Sequence, residues 1–228
     1  MNMLLQSTIN IDEFKVNGRL LPSYPLVQEQ SEQRRRQLFT DAISKLVYAL
    51  KAKDLHLYRH CYRVEQLTHF LTKSLNLPIG IVIRMRTAAL FHDIGKLSIS
   101  NKLLHKVSSL TRQEFEQIKQ HPTQGATILS QQGICKEVVP MVHYHHEHWN
   151  GHGYPHGLQG QAIPLGARII AIADAFEVMT SSCRLYQRQR TPLEALAELR
   201  RCAGTQFDPN LVDIFCTLLQ NDLQIFAN

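Results

Sequence analysis

The sequence predicts an all-α domain, and three observations carry that reading. Apolar residues recur at helical spacing over long stretches, as in Leu57, Val64, Leu67, Leu71 and Leu75. No stretch of useful length alternates apolar and polar residues as a half-buried strand would. Helix punctuation is dense: Thr111-Arg112-Gln113-Glu114 reads as a capping box, Pro78 sits where a helix begins, and Gly133 sits where one should stop.

Taken in order, residues 1–30 show no sustained period. Asn17-Gly18 and the stretch from Pro22 to Pro25 read as turn and linker, so an N-terminal extension (1–30) precedes the body of the domain (31–228). A first helix begins near Ser31 and buries Leu38, Ala42, Leu46 and Ala49. A second spans residues 54–75. Leu77-Pro78 opens a third, which carries Ile83, Ala88, Leu90 and Phe91 inward and runs into His92-Asp93, where Gly95 releases it. The helix started by Thr111 ends near His121-Pro122, and the next runs from there to about residue 132. Residues 134–148 read as helical and residues 149–165 as a loop rich in glycine and proline. A strongly apolar helix over 167–179 carries Asp174 in its middle, and amphipathic helices over 192–203 and 208–221 complete the body.

The 228 residues suit one domain of ordinary size with a short extension, able to bury a substantial core. The formal charge of +6 is scattered apart from Arg34-Arg35-Arg36. It favours anionic partners in general, but no recognition helix, zinc finger or basic-aromatic stripe points to DNA. The five cysteines (Cys61, Cys135, Cys183, Cys202, Cys216) form no CxxC pair, which suits reduced thiols packed in the core of a cytosolic protein. No apolar run reaches the ~18 residues of a membrane span, and Met1 to Leu5 is too short for a secretory signal. The expected location is the cytoplasm. Oligomeric state is not legible in the sequence.

Two clusters carry chemistry: His92-Asp93-Ile94-Gly95-Lys96, and the run from His145-His146-Glu147 through Gly151, Gly153, Tyr154 and Pro155. Neutral imidazoles beside carboxylates are good ligands for a divalent transition metal, and a lysine one turn on can hold an anion. A lone histidine in an apolar helix is more often a hydrogen-bonded core residue than a ligand, so the case is collective. His60, His92, Asp93, His121, His145, His146 and Asp174 all lie near helix ends or on apolar faces. Asp174 is flanked by Ile170, Ile172, Ala173, Ala175 and Phe176, so its carboxylate requires a cation, either a metal or a buried Lys or Arg.

His92 to Lys96 resembles the HD motif of metal-dependent phosphohydrolases, and His145 to Pro155 matches the HHExxxGxGYP signature of the HD-GYP family at every signature position. The likeness continues through Gly157-Leu158-Gln159-Gly160, Ala167-Arg168-Ile169, Ala173-Asp174-Ala175-Phe176 and Gly204-Thr205-Gln206-Phe207-Asp208-Pro209, covering roughly residues 40–220. The resemblance implies a multi-helix HD fold with a metal centre between helices and a GYP loop. It also implies hydrolysis of cyclic di-GMP to linear pGpG, GMP or both. Carried over by position, it makes His60, His92 and Asp174 ligands of one divalent ion. His121, His145 and His146 become ligands of a second, and Asp93 bridges the two. The ions it implies are iron or manganese. Lys96 would contact a phosphate oxygen, and Arg184 and Tyr186 would lie near the guanines. Trp149 and Tyr154 could stack on guanine or pack on the core; either account fits their position.

This chain also departs from the family pattern. His56 stands where members with a third metal commonly carry glutamate, so two ions are expected here. Glu177 replaces the usual aspartate, a change expected to alter bonding behind the ligands more than ligation itself. Val107-Ser108 replaces Pro-Gly in a segment expected to line the pocket, and Ser181 to Tyr186 is one residue longer than usual. Two rivals to a cyclic di-GMP phosphodiesterase follow. One is a weakly catalytic module that binds cyclic di-GMP or docks a signalling protein through the GYP loop. The other is an HD hydrolase acting on another nucleotide.

Overall fold

The computed structural model describes the backbone at residues 15–16, 19–20, 24–181 and 189–227, and side-chain burial over residues 31–181 and 189–221. The chain forms two compact units, Met1–Asp41 and Ala42–Asn228. In the first, strands β1 (Lys15–Val16) and β2 (Arg19–Leu20) pair antiparallel with Lys15 opposite Leu20, and helix α1 (Tyr24–Lys53) begins. Two-residue strands leave the all-α class intact.

The second unit holds the end of α1 and then α2 (Leu55–Ser74), α3 (Ile79–Phe91), α4 (Asn101–Leu104), α5 (Arg112–Ile118), α6 (His121–Gln131), α7 (Val138–His143), α8 (Leu165–Thr180), α9 (Pro192–Arg201) and α10 (Pro209–Ala227). Short 3₁₀ turns occupy Ile94–Ser98 and Gly160–Ala162. The punctuation forms as expected. Asp54 caps α2 by accepting from the His56 and Leu57 amides. The Thr111–Glu114 capping box makes both of its bonds, and Thr191–Glu194 starts α9 the same way. At the end of α6, Gly133 takes φ +67° while the Ile134 amide reaches back to the Leu129 carbonyl.

Helix α8 is apolar nearly all round, as a helix packed on several sides must be. Its Ile170 and Ala173 join Leu50, Val64, Phe91, Leu129 and Val142 in one core cluster. Its Ile169, Ile172 and Phe176 join Leu71, Leu196, Leu199, Val212 and Phe215 in a second. Asp174 therefore projects from the central strut of the domain.

Several local expectations need correction. Leu38 and Ile83, expected inward, are 60% and 50% exposed, and Leu50, Val82 and Met85 take the inward positions. The apolar spacing in α3 admits more than one phase, and packing against α2 selects the one that buries Val82, Met85, Ala88 and Ala89. The helix expected over 134–148 is only Val138–His143. Beyond Tyr144 the chain leaves helical geometry, which turns His145 inward and brings Glu147 beneath the following loop.

Candidate metal centre

Each expected donor residue arrives from a different place in the fold. His60 comes from mid-α2, His92 from the C-cap of α3, and Asp93 from the start of the 3₁₀ turn. His121 is the first residue of α6, His145 and His146 follow α7, and Asp174 comes from α8. They converge. His60, His92 and Asp174 offer donor atoms within 4.8 Å of one another, and so do His121, His145 and His146.

Asp93 lies between the two groups. Its Oδ1 is 3.1 Å from His121 Nε2, and its Oδ2 is 3.5 Å from both His60 Nε2 and His92 Nε2. His56 is exposed and belongs to neither group. Cys61 Sγ approaches His92 and Asp93, but burial pushes the thiol well above its ordinary pKa, so it stays protonated and the donors are nitrogen and oxygen.

The tautomers explain why this convergence suits a cation. Nδ1 of His92, His121 and His145 each donates to the backbone carbonyl three residues earlier, at 2.8, 2.7 and 2.7 Å. His60 Nδ1 donates to Glu177 Oε2 at 2.5 Å. In a neutral ring so held Nε2 is a bare lone pair, and the Nε2 atoms lie close together: His60 to His92 at 3.2 Å and His121 to His145 at 3.3 Å. Ring nitrogens crowded in this way suit a cation placed between them, and without metal a proton on His60 takes that place between His60 and His92. Nitrogens about 2.1 Å from a common ion lie roughly 3.0–3.4 Å apart, so the spacing fits. Asp93 Oδ1 is buried and accepts no hydrogen bond although His121 Nε2 is near it, as expected for two acceptors awaiting a shared ion. The residues fit a divalent metal.

The ionisation states agree. Burial keeps His92 and His145 neutral by lowering their pKa values, and burial together with His121 takes His146 down to about 3. Burial would also lower His60, but Asp174 and Glu177 outweigh it and raise the pKa to about 9. Burial opposes ionisation of Asp93, yet Lys96, then His92 and His121, hold its carboxyl well below the usual range. Lys96 Nζ sits 2.5 Å from Asp93 Oδ2. Burial disfavours its charge, and Asp93 more than compensates.

The residues behind the donors were less legible in the sequence. Glu177 accepts from His60 and also from Arg63 Nε at 2.6 Å, so it orients the imidazole and is itself held by a guanidinium. Asp174 faces His60 at 3.2 Å rather than a lysine or arginine, which answers the alternative left open for it. Glu147 accepts from the His156 and Leu158 amides at 2.7 and 3.0 Å, pinning the GYP loop beneath the histidine pair. Its position between two histidines and a glycine-rich turn was the available signal. Gly95 and Gly153 matter for their missing side chains: a Cβ on Gly95 would lie 1.9 Å from the His121 carbonyl oxygen, and one on Gly153 would lie 2.2 Å from the His148 amide.

A cavity of about 920 Å³ opens beside the centre, lined by His145, His146 and Asp174 and reaching across to α9. Tyr154, on the cis Tyr154–Pro155 bond, stacks on His146 with centroids 4.9 Å apart. Trp149 packs over the Arg168 guanidinium, 5.7 Å from its ring, so it serves the protein's own packing. Val107 and Ser108 are exposed and form no part of the lining of this cavity, contrary to expectation. Arg184 and Tyr186 lie outside the described residues.

Residues 45–211 match the model of the HD domain family, and the chain belongs to that family. Within it, the chain is related to HD-GYP cyclic di-GMP phosphodiesterases at about 35% identity over most of its length. It is 36% identical over 168 residues to a cyclic di-GMP phosphodiesterase of Thermotoga maritima, covering 73% of this chain and 45% of that protein. It is 31% identical over 181 residues to the 3′3′-cGAMP-specific phosphodiesterase 2 of Vibrio cholerae, covering 78% and 34%. The crystal structure of the cyclic GMP-AMP phosphodiesterase V-cGAP3 of V. cholerae shares the fold, with a TM-score of 0.62 at 23% identity over 80% of this chain and 49% of that one. The chain spans about half or less of the length of the curated relatives it matches. Among the described residues no helix is long and apolar enough to cross a membrane.

Proposed function

We propose that this domain is a phosphodiesterase that hydrolyses cyclic di-GMP, to linear pGpG, GMP or both, with two divalent ions of iron or manganese. The observation that carries the reading is the pair of donor groups on either side of Asp93, whose ring nitrogens and carboxylates converge on one place. His60, His92 and Asp174 would hold one ion and His121, His145 and His146 the other, with Asp93 shared. When bound, such ions neutralise phosphate charge and make a water acidic enough to attack the phosphodiester.

The chain's own residues do the rest. Glu177 and the three backbone carbonyls hold Nδ1 of His60, His92, His121 and His145, so that these rings present Nε2. Lys96 is half-buried and cationic, paired with Asp93, where it can bind a non-bridging phosphate oxygen and stabilise charge growing there. Tyr154 stacks on His146 with its phenol held protonated by burial, so it can donate a hydrogen bond to substrate. A cavity of about 920 Å³ has room for a whole dinucleotide. The GYP loop, pinned by Glu147, would also be the docking surface for a signalling protein.

The test is hydrolysis of cyclic di-GMP by protein purified without oxygen, with metal counted on the same sample. Turnover with about two ions per chain, both lost in Asp93→Ala, is the expected result. Metal bound and ligand bound without turnover would replace the enzyme by a receptor module. Turnover of 3′3′-cGAMP in preference to cyclic di-GMP would move the substrate to the one named for the Vibrio relatives.

A further inference from the structure

We infer that Arg201, at the mouth of the cavity on α9, reads the guanine base and so determines which cyclic dinucleotide the site accepts; this rests on the phosphodiesterase reading above. The cavity is a trough with two unlike walls. Its α8 wall carries Ala171, Ala175, Val178 and Met179 beside Asp174, a narrow apolar stripe at helical spacing. Its α9 wall carries Glu194, Glu198 and Arg201, again on one helical face. A nucleobase has apolar faces and a polar edge, so a base seated on the small residues of α8 turns its edge toward α9 while its phosphate reaches the donor groups around Asp93.

Arg201 is prepared for such an edge. Glu198 accepts from its Nε at 3.0 Å and from its Nη2 at 2.6 Å, a bidentate grip that fixes the guanidinium plane. Arg190 closes on the same carboxylate, with Nη1 3.5 Å from Glu198 Oε2. At the far edge of the Arg201 fork Nη1 points away from Glu198, while the second hydrogen of Nη2 is spent only on Cys202 Sγ at 3.4 Å, a weak acceptor that a base oxygen would displace to meet two parallel donors. Guanine offers two acceptors side by side, O6 and N7, and a guanidinium matches them bidentately. Adenine offers N7 beside an amino donor and does not. The Arg201 side chain is 70% exposed, so its donors are open to an incoming base.

The experiment compares kcat/KM for cyclic di-GMP and cyclic di-AMP in the wild type, Arg201→Ala and Arg201→Lys. The expected result is a fall of about tenfold to a hundredfold in the ratio of the two for Arg201→Ala. Lysine keeps the charge but not the planar fork, so Arg201→Lys should leave the ratio low. An unchanged ratio in Arg201→Ala, or a ratio restored by lysine, overturns the inference while leaving the enzyme reading intact. The wild type is also given bis(p-nitrophenyl) phosphate, which has no base. Hydrolysis of that diester alone would remove the cyclic dinucleotide substrate, and no hydrolysis of any diester by metal-loaded protein would remove the phosphodiesterase reading itself; either outcome takes this inference with it.

Discussion

Replacing Gly95 with alanine should damage the metal centre through backbone alone, without touching a donor. The new Cβ would meet the His121 carbonyl oxygen at 1.9 Å, the Gly125 amide nitrogen at 2.7 Å and the His121 carbonyl carbon at 2.8 Å. All three are main-chain atoms of α6, so no side chain can rotate out of the way. Restoring an ordinary contact requires α6 to retreat from the 3₁₀ turn by about 1.5 Å, carrying His121 away from Asp93. Overpacking of this kind costs about 1–3 kcal/mol. For a chain of this size that lowers the melting temperature by about 2–12 °C. A 1 Å error in a reacting centre can cost about a hundredfold in rate, so hydrolysis should fall much further than stability does. Circular-dichroism melting, metal counting and diester hydrolysis on one preparation give the three readouts. Gly133→Ala is the control: its φ of +67° strains alanine, but nothing lies within 4 Å of the new Cβ, so only a small loss of stability is expected. A Gly95→Ala protein with unchanged melting, full metal content and full activity would refute the reasoning.

Glu177→Gln should weaken metal affinity by about tenfold to a hundredfold, since the amide no longer secures the His60 tautomer; titration against a competing chelator would show it, and unaltered affinity would dismiss Glu177 as an orienting group. In chelator-treated protein, stability should be greatest near pH 6.5. His60, raised to about 9, contributes stability that is complete below the unfolded value of 6.5 and lost as the pH climbs to about 9, whereas the lowered His92, His145 and His146 cost stability as the pH drops below 6.5. Melting scanned across pH would contradict this if stability kept rising from 6.5 to 9. Metal uptake at pH 7 should release the His60 proton, measurable as buffer-dependent heat in calorimetry. Arg168→Ala should cost about 3–5 kcal/mol in urea melts, because it strands Asp208, only 4% exposed, without its 2.6 Å partner. A loss below 1 kcal/mol would mean that water reaches that pair.

Much of the centre was legible because its donors announce themselves chemically. A carboxylate inside Ile170-Ala171-Ile172-Ala173-Asp174-Ala175-Phe176 has no cheap explanation without a cation, and a histidine pair ahead of a glycine-rich turn is an unusual concentration of ligands. Helix starts were equally readable where capping is local, as at Thr111 and Glu114, because both partners lie within one turn of chain. The end of α6 at Gly133 was readable for the same reason.

What the sequence could not express are facts that depend on two distant segments at once. That Asp93 turns one oxygen toward His121 and the other toward His60 and His92 follows from α6 lying against the 3₁₀ turn, and Gly95 permits that approach. That Glu177 serves His60, 117 positions away, follows from α2 packing on α8. The inward phase of α3 and the early end of α7 were also decided by neighbours, since short apolar runs are compatible with more than one face. Composition and local spacing were enough for the class of fold, and the motif likeness was enough to single out the candidate donor residues. Which of those donors converge, and what orients them, came from the packing of the helices, because such relations exist only between segments distant in the chain.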